Sequence, residues 1–340
     1  MTLAVLMLAA GQGKRMLSKR QKILHEVGGK PMVQHLFETA VSVSDILPVI
    51  VVGQDEAGVQ NLLREQATYV VQSESLGTGH AVQVAADALR GRVDQVVVTY
   101  GDMPLLRADT LLQMAQAQRE TNSVMSMLSV MGDVSSTFGR VLRGDDGRVL
   151  EIVEVAEAKR RKNSADLLAI RELNAGLYCF DADWLWQNIN DLPLRQARSG
   201  VEYYLTDMLE TAVKQGHSVA ATVAADADEC LGAGTRAEMV LVEAAFRRRA
   251  NQHWLTNGVT LVDPASIFID PDVIIGQDTI IWPNSYLQGS TQIGEDCVIG
   301  PNSIMRNAKI GDGCHIEQAV IENRTVNAHT IVPPFTNLKG

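Results

Sequence analysis

The chain has 340 residues, 46% hydrophobic and 21% charged, so it is globular and able to bury sizeable cores; at about 150 residues per domain it should hold roughly two domains. Lys and Arg number 30 against 40 Asp and Glu, a net charge of -10. That balance argues against a bulk basic face, so neither nucleic acid nor a membrane is an expected partner, and only a local basic site is left open. The 4 cysteines form no CxxC pair and no dense framework, which suits a reducing cytoplasm and argues against zinc ribbons and secreted disulfide scaffolds.

The apolar opening, residues 3 to 10, is too short for a membrane span and reads as a buried strand. Uniformly apolar runs at Leu3–Leu8, Val49–Val52, Val96–Thr99 and Val124–Val130 alternate with helical patterns at Pro31–Val43, Gly79–Leu89 and Asp109–Arg119. That rhythm predicts an α/β fold with a mostly parallel, helix-covered sheet. Ligands of such sheets bind at the carboxyl ends of the strands, so chemistry belongs just after Leu8, Val71 and Thr99.

The loop after the first strand reads Leu8-Ala9-Ala10-Gly11-Gln12-Gly13-Lys14-Arg15-Met16. Gly11 and Gly13 allow close backbone approach and turn N–H groups toward a phosphate. Met16 stands where the dinucleotide fingerprint needs a third glycine, and no Gly-Lys-Ser/Thr follows to make a P-loop. Lys14, Arg15, Lys19, Arg20, Lys22 and Lys30 face one acid, Glu26, across this stretch. A solvated basic loop would be the bland reading; the glycines and the position after the first strand favour a polyphosphate ligand.

A helix without Gly or Pro is expected from Thr235 to Leu255, with Thr235 as N-cap and Asn257-Gly258 as the stop. Its Arg247-Arg248-Arg249 run reads as a solvated face. Beyond Val259, Ile269, Ile275, Ile281, Leu287, Ile293 and Ile299 recur at a step of six, and after a slip of one Ile304, Ile310 and Ile316 continue. This is the hexapeptide period of a β-helix, in which each aliphatic enters a stacked interior column.

The residues now carry a resemblance. Leu-Ala-Ala-Gly-x-Gly-x-Arg-Met followed by Lys22-Ile23-Leu24 resembles the opening of sugar-1-phosphate nucleotidyltransferases. Gln72-Ser73-Glu74-Ser75-Leu76-Gly77-Thr78-Gly79-His80-Ala81 is similar to bacterial N-acetylglucosamine-1-phosphate uridyltransferases. Tyr100-Gly101-Asp102-Met103-Pro104, Phe138-Gly139-Arg140, Ile152-Val153-Glu154, Leu173-Asn174-Ala175-Gly176 and Glu202-Tyr203-Tyr204-Leu205-Thr206-Asp207 follow in the family's order. The resemblance spans essentially the whole chain. It implies a Rossmann-like nucleotidyltransferase domain (1–234), a linking helical arm (235–257) and a short left-handed β-helix (258–340).

It also implies a reaction, in which N-acetylglucosamine 1-phosphate attacks the α-phosphorus of UTP and pyrophosphate leaves, with Mg²⁺ as cofactor. Both reactants are anions, so catalysis rests on charge neutralisation and in-line positioning. Arg15 and Lys22 are the candidates for holding phosphates, and Asp102, after the strand that ends at Thr99, for holding the metal. Leu8, Ala9, Ala10 and Gly11, with Gln72, Gly77 and Thr78, would form the nucleotide pocket, the Gln72 amide offering donor and acceptor to the base. By resemblance Tyr100, Gly101, Gly139, Glu154, Asn174, Tyr204 and Thr206 line the sugar site; a structural Asn or Glu is the bland alternative for several of them.

Departures from the family pattern matter. Gly234 stands where the family has a second metal-binding Asn, so Asp226 or Asp228 would have to substitute, or water and phosphate would complete the shell. Gln21 replaces a Pro, and Lys14 a Thr or Ser. The repeats suffice for about three to four coils at three hexapeptides per coil; the family's acetyl-CoA site lies in later coils, so no acetyltransferase activity is expected of this chain. His315 and His329 read as structural or surface residues. A cytoplasmic homo-oligomer, a trimer by family analogy, is expected. Two further readings stay open: another sugar-1-phosphate nucleotidyltransferase, such as a thymidylyltransferase, and a non-catalytic nucleotide-sugar-binding subunit.

Overall fold

A computed structural model describes residues 1–54, 57–133, 138–197 and 200–340. They form two compact units, one of residues 1–25 and 32–238, the other of residues 26–31 and 239–340.

The first unit is built on nine strands: β1 (Leu3–Leu8), β2 (Val49–Gly53), β3 (Thr68–Gln72), β4 (Gln95–Tyr100), β5 (Met125–Met131), β6 (Arg140–Arg143), β7 (Val149–Val153), β8 (Glu172–Asp181) and β9 (Val219–Val223). Their order is β9-β5-β8-β4-β1-β2-β3, with β6 against β8 and β7 against β6. Along that path only β8 runs against its neighbours. Every residue of β1 is buried, as befits a strand covered by helices on both faces. Side chains of the two faces form separate cores, one around Leu6, Val98 and Phe180, the other around Met7, Val97 and Leu128. Because β8 is reversed, its first residues share an edge with the last residues of β4 and β5. Leu173 pairs with Val130, and Tyr178 with Val98.

The covering helices include α1 (Met32–Val43), α2 (Gly77–Val84) and α3 (Ala108–Glu120). Two details differ from the sequence reading. Pro31 lies in a two-residue strand pairing with Glu26, ahead of α1 rather than in it. The segment read as one helix over residues 79–89 is two, because at Ala85 the ladder tightens to a bond from its N–H to the Val82 carbonyl before Ala86–Leu89.

The second unit opens with α4 (Arg236–Thr256), which starts in the first unit and continues through the second. The Thr235 hydroxyl caps it by accepting the Glu238 N–H (3.2 Å), and Gly258 ends it at φ 84°. Residues 26–31, read from sequence as part of the first domain, belong with this unit because their backbone is held there. The Gly28 N–H donates to the Glu243 carboxylate (2.8 Å). The reading of a solvated face is qualified at Arg247: this partly buried residue lays its guanidinium 4.3 Å over the Phe268 ring, which stacks on Tyr286, so it packs as well as meeting solvent.

After α4 the chain winds as a left-handed β-helix whose strands form three parallel sheets of five, five and four strands. Ile281, Ile299, Ile316 and Val332 stack in one column, and Leu287, Met305 and Ile321 in another. The inward residue of the seventh hexapeptide is therefore Met305, fully buried, and not Ile304. The shortened step falls after Met305, since Ile293 pairs with Ile310. Corners place Asp278, Asn284, Asp296, Asn302 and Asn307 at positive φ, a conformation that Asn and Asp tolerate. All four cysteines are buried thiols.

Candidate active site at the carboxyl edge of the sheet

β1 and β4 are neighbours, and both end at the same edge. There the Gly101 N–H donates to the Leu8 carbonyl (3.0 Å), and the Ala9 N–H to the Val51 carbonyl (2.8 Å). These bonds fix the backbone of Leu8, Ala9 and Gly101 and aim the next residues outward. A side chain at Gly11 would meet no atom within 4 Å, so packing leaves that position open. Gly13 has a different reason: at φ 60° it gives the loop a left-handed turn, and a Cβ there would strike the Lys22 Cβ at 2.4 Å. The loop and the basic segment are thus in contact. Gln21 reinforces the contact, its amide donating to the Ala9 carbonyl (3.2 Å), so the residue replacing a Pro gains a role of its own.

Lys22 and Asp102 meet, Nζ to Oδ2 at 2.6 Å, with side chains 18% and 19% exposed. Asp102 lies just past β4, and its carbonyl accepts the Ala233 N–H (3.1 Å). Arg15 is exposed, on a single helical turn between the left-handed residues Gly13 and Leu17, with Met16 beneath it buried as the anchor. Its guanidinium lies where a side chain at position 234 would begin: a Cβ on Gly234 would stand 2.4 Å from Nη2. The glycine that removes an amide is therefore occupied by an arginine.

Around the nucleotide loop, Gln72 is buried, its amide nitrogen donating to the Gly77 carbonyl (3.1 Å) and lying 3.1 Å from His80 Nδ1. The sequence reading gave that amide both a donor and an acceptor for a base. The structure commits the nitrogen to Gly77 and leaves the oxygen. Gly77 itself has φ 93° with the Tyr203 carbonyl pressed against it, so only glycine fits. The Thr78 hydroxyl accepts the Leu205 N–H (3.1 Å) and shares a hydrogen bond with the Tyr100 phenol. This joins the 204–206 segment to the nucleotide loop. Burial first, and the Asp102 charge second, keep Tyr100 protonated well above its ordinary range.

At the start of β8, the Asn174 N–H donates to the Gly139 carbonyl (2.8 Å), and its side chain bonds the Tyr178 hydroxyl and the Gly176 N–H. Gly139 faces Glu154, whose Oε1 would stand 3.1 Å from a Cβ at 139. Glu154 is exposed as a residue, yet partial desolvation of its carboxyl raises its pKa, Glu157 adds to the rise, and Arg140 opposes it. Tyr204 is raised by burial and then by Glu202 and Glu154, which places it in the same field. Thr206 precedes the helix Asp207–Lys214 and its carbonyl accepts the Leu209 N–H. Sequence reasoning assigned no role to His80, Tyr178 or Arg140. All lay inside or beside quoted motifs, but their partners become visible only once the strands are paired.

The donor set for Mg²⁺ can be tested against these contacts. Asp226, offered from sequence as a substitute ligand, pairs with Arg107 (2.9 Å) and caps its own short helix through the Asp228 N–H. Among the described residues no three His, Cys, Asp or Glu side chains cluster to hold a metal. Asp102, in contact with Lys22 just past β4, is the carboxylate placed beside the glycine loop. Mg²⁺ commonly takes one or two carboxylates, keeps several waters and draws its other ligands from substrate phosphates. One carboxylate beside a phosphate-binding loop fits an ion of that kind.

Comparison with known proteins decides the lineage. Residues 5–160 match the family model of the MobA-like NTP transferase domain, and residues 272–307 that of the bacterial transferase hexapeptide (six repeats). The bifunctional protein GlmU of Exiguobacterium sibiricum is 39% identical over 98% of this chain and 72% of its own. The chain belongs to the GlmU family. GlmU of Halalkalibacterium halodurans is 37% identical over 98% of this chain and 71% of that protein. A putative glucose-1-phosphate thymidylyltransferase from Bacillus anthracis, solved with a sucrose, shares the fold at 22% identity and TM-score 0.56, over 72% of this chain and 94% of that one. This GlmU-family chain is a nucleotidyltransferase with hexapeptide repeats. Among the described residues no helix is long and apolar enough to cross a membrane.

Proposed function

We propose that this chain transfers the uridylyl group of UTP to N-acetylglucosamine 1-phosphate, giving UDP-N-acetylglucosamine and pyrophosphate, with Mg²⁺ as cofactor, in the cytoplasm and as a homo-oligomer. The observation that carries the reading is the Lys22–Asp102 pair beside the glycine loop, at the carboxyl edge of adjacent strands. A cation for phosphate and a carboxylate for a divalent ion stand in contact there.

An oxygen of the sugar phosphate forms a bond to the α-phosphorus, and the bond to the β-phosphate oxygen breaks with its electron pair leaving on pyrophosphate. Lys22 and Arg15 hold the triphosphate and neutralise charge that grows on the leaving group. Mg²⁺, when bound, would supply further neutralisation between Asp102 and the phosphate oxygens. The Gln72 oxygen reads the base, and the Thr78 hydroxyl and loop backbone border it. Glu154, Asn174, Tyr204 and Thr206, with the backbone at Gly139, supply partners for the sugar hydroxyls and acetamide.

The test is pyrophosphate release from UTP and N-acetylglucosamine 1-phosphate with Mg²⁺. Turnover is expected, and Asp102→Ala should lower kcat by about a hundredfold or more, as loss of a charge-stabilising group does. No release from the wild type with UTP still bound would remove the catalytic reading and leave a nucleotide-sugar-binding subunit. Faster turnover with dTTP or glucose 1-phosphate would replace the substrate. Sedimentation of the full chain as a monomer would remove the oligomer.

A further inference from the structure

The Gln72 amide stands at the end of β3, and the first turn of α2 decides which way it faces. An amide nitrogen carries two hydrogens. One goes to the Gly77 carbonyl at 3.1 Å, and the other faces His80 Nδ1, also at 3.1 Å. His80 Nδ1 lies 2.9 Å from the Glu74 carbonyl as well, so one ring nitrogen stands between two groups that ask opposite things of it. The carbonyl calls for a proton there, and the amide for a lone pair. Hydrogen-bond balance chooses between them. The Glu74 carbonyl already accepts the Leu76 N–H at 2.9 Å, and Glu74 is an exposed residue. Gln72 is only 6% exposed, and a buried N–H without an acceptor costs more than a carbonyl that keeps one donor. Neutral His80 therefore carries its proton on Nε2, and Nδ1 accepts from Gln72. The turn that presents His80 is itself fixed: the Tyr203 N–H donates to the Leu76 carbonyl at 2.8 Å, and the Leu205 N–H to the Thr78 hydroxyl at 3.1 Å.

We propose that His80 is a positioning residue for base selection: by accepting the second amide hydrogen it locks Gln72 so that only Oε1 meets the base, which selects uracil over cytosine. With both hydrogens spent, the amide accepts and does not donate. Uracil carries a proton on N3 and supplies the donor; cytosine has a lone pair on N3 and would set acceptor against acceptor. Held by Gly77 alone, the amide could turn over at the cost of a single bond and donate to cytosine, and the discrimination would fade. His80 acts through Gln72, and the proposal rests on Gln72 reading the base, as put forward above.

The test is calorimetric binding of UTP, CTP and dTTP, each with Mg²⁺, to the full chain. The wild type should prefer UTP to CTP. His80→Leu, which removes the acceptor, should lower that preference about tenfold, the scale of one hydrogen bond. Thymine keeps the N3 proton, so the ratio of UTP to dTTP should change by less than about twofold. A purely structural loss would weaken all three nucleotides alike and leave both ratios in place. His80→Asn, whose Oδ1 stands where Nδ1 stood, should keep the preference within about threefold of wild type. Gln72→Ala should abolish the preference, and His80→Leu added to it should change nothing further. If the wild type shows no preference, or Gln72→Ala leaves it intact, the base-reading role of Gln72 falls and the role of His80 with it. If Gln72→Ala abolishes the preference and His80→Leu does not lower it, the positioning role alone is overturned. His80→Ala makes the same removal without added bulk, so the answer does not depend on one variant folding.

Discussion

A carboxylate and an ammonium 2.6 Å apart, each mostly removed from water, stand in for the solvent the other has lost. Substrate phosphates must compete with Asp102 for Lys22, and a divalent ion must compete with Lys22 for Asp102. Glu154 shows the opposite situation, an exposed residue whose partly desolvated carboxyl, with Glu157 nearby, is raised in pKa despite the opposing Arg140. Its raised pKa means the folded state holds a proton that the unfolded chain releases near pH 4.5. Between that pH and the higher folded value the native state carries more protons, so this group makes stability fall as pH rises. In Glu154→Gln that contribution disappears. The expected result is a variant at least as stable as wild type in urea at pH 7, with the wild type catching up as the pH is lowered toward 4.5, and with weakened N-acetylglucosamine 1-phosphate binding at neutral pH. A variant that loses stability at pH 7 would show that Glu154 is there for the fold. The glycine loop, Lys22 and Asp102 were legible in the sequence because their neighbours define strand ends. What fills Gly234 was not, since a missing side chain says nothing about the group that takes its place.

Elements are where periodicity succeeds and where it slips. The step of six located the β-helix, but it put Ile304 in the interior because Ile304 and Met305 are adjacent and both apolar. The pairing of Leu287 with Met305 assigns the interior to methionine. This is a difference of one residue, and in a strand one residue is the difference between faces. Met305→Ala should destabilise by about 2–5 kcal/mol, the range for emptying a buried site of this size. Ile304→Ala, at a partly exposed position, should cost less than about half of that. Thermal unfolding of the two variants checks this, and an Ile304 variant that is the worse of the two would restore the original register. The arm carries the same lesson. Charge counting placed Arg247 in solvent, and the ring of Phe268, in the next segment of the chain, covers part of it.

At the scale of the whole molecule, two kinds of core stabilise one chain. In the first unit, apolar layers lie on both faces of a sheet; in the second, a column runs through stacked coils with Trp254 packed against it. Each buries its own hydrophobic residues, so unfolding need not be a single transition. The proposed site draws Arg15, Lys22, Gln72, Asp102, Glu154 and Asn174 from the first unit. UTP with Mg²⁺ at 100 times its Kd should stabilise that unit by about 2.7 kcal/mol, because a ligand that binds only the folded form adds its binding free energy to it. Calorimetry is therefore expected to show a ligand-dependent transition and a second, β-helical one that UTP leaves in place and Met305→Ala lowers. If UTP raised both transitions together, the two cores would be one cooperative structure.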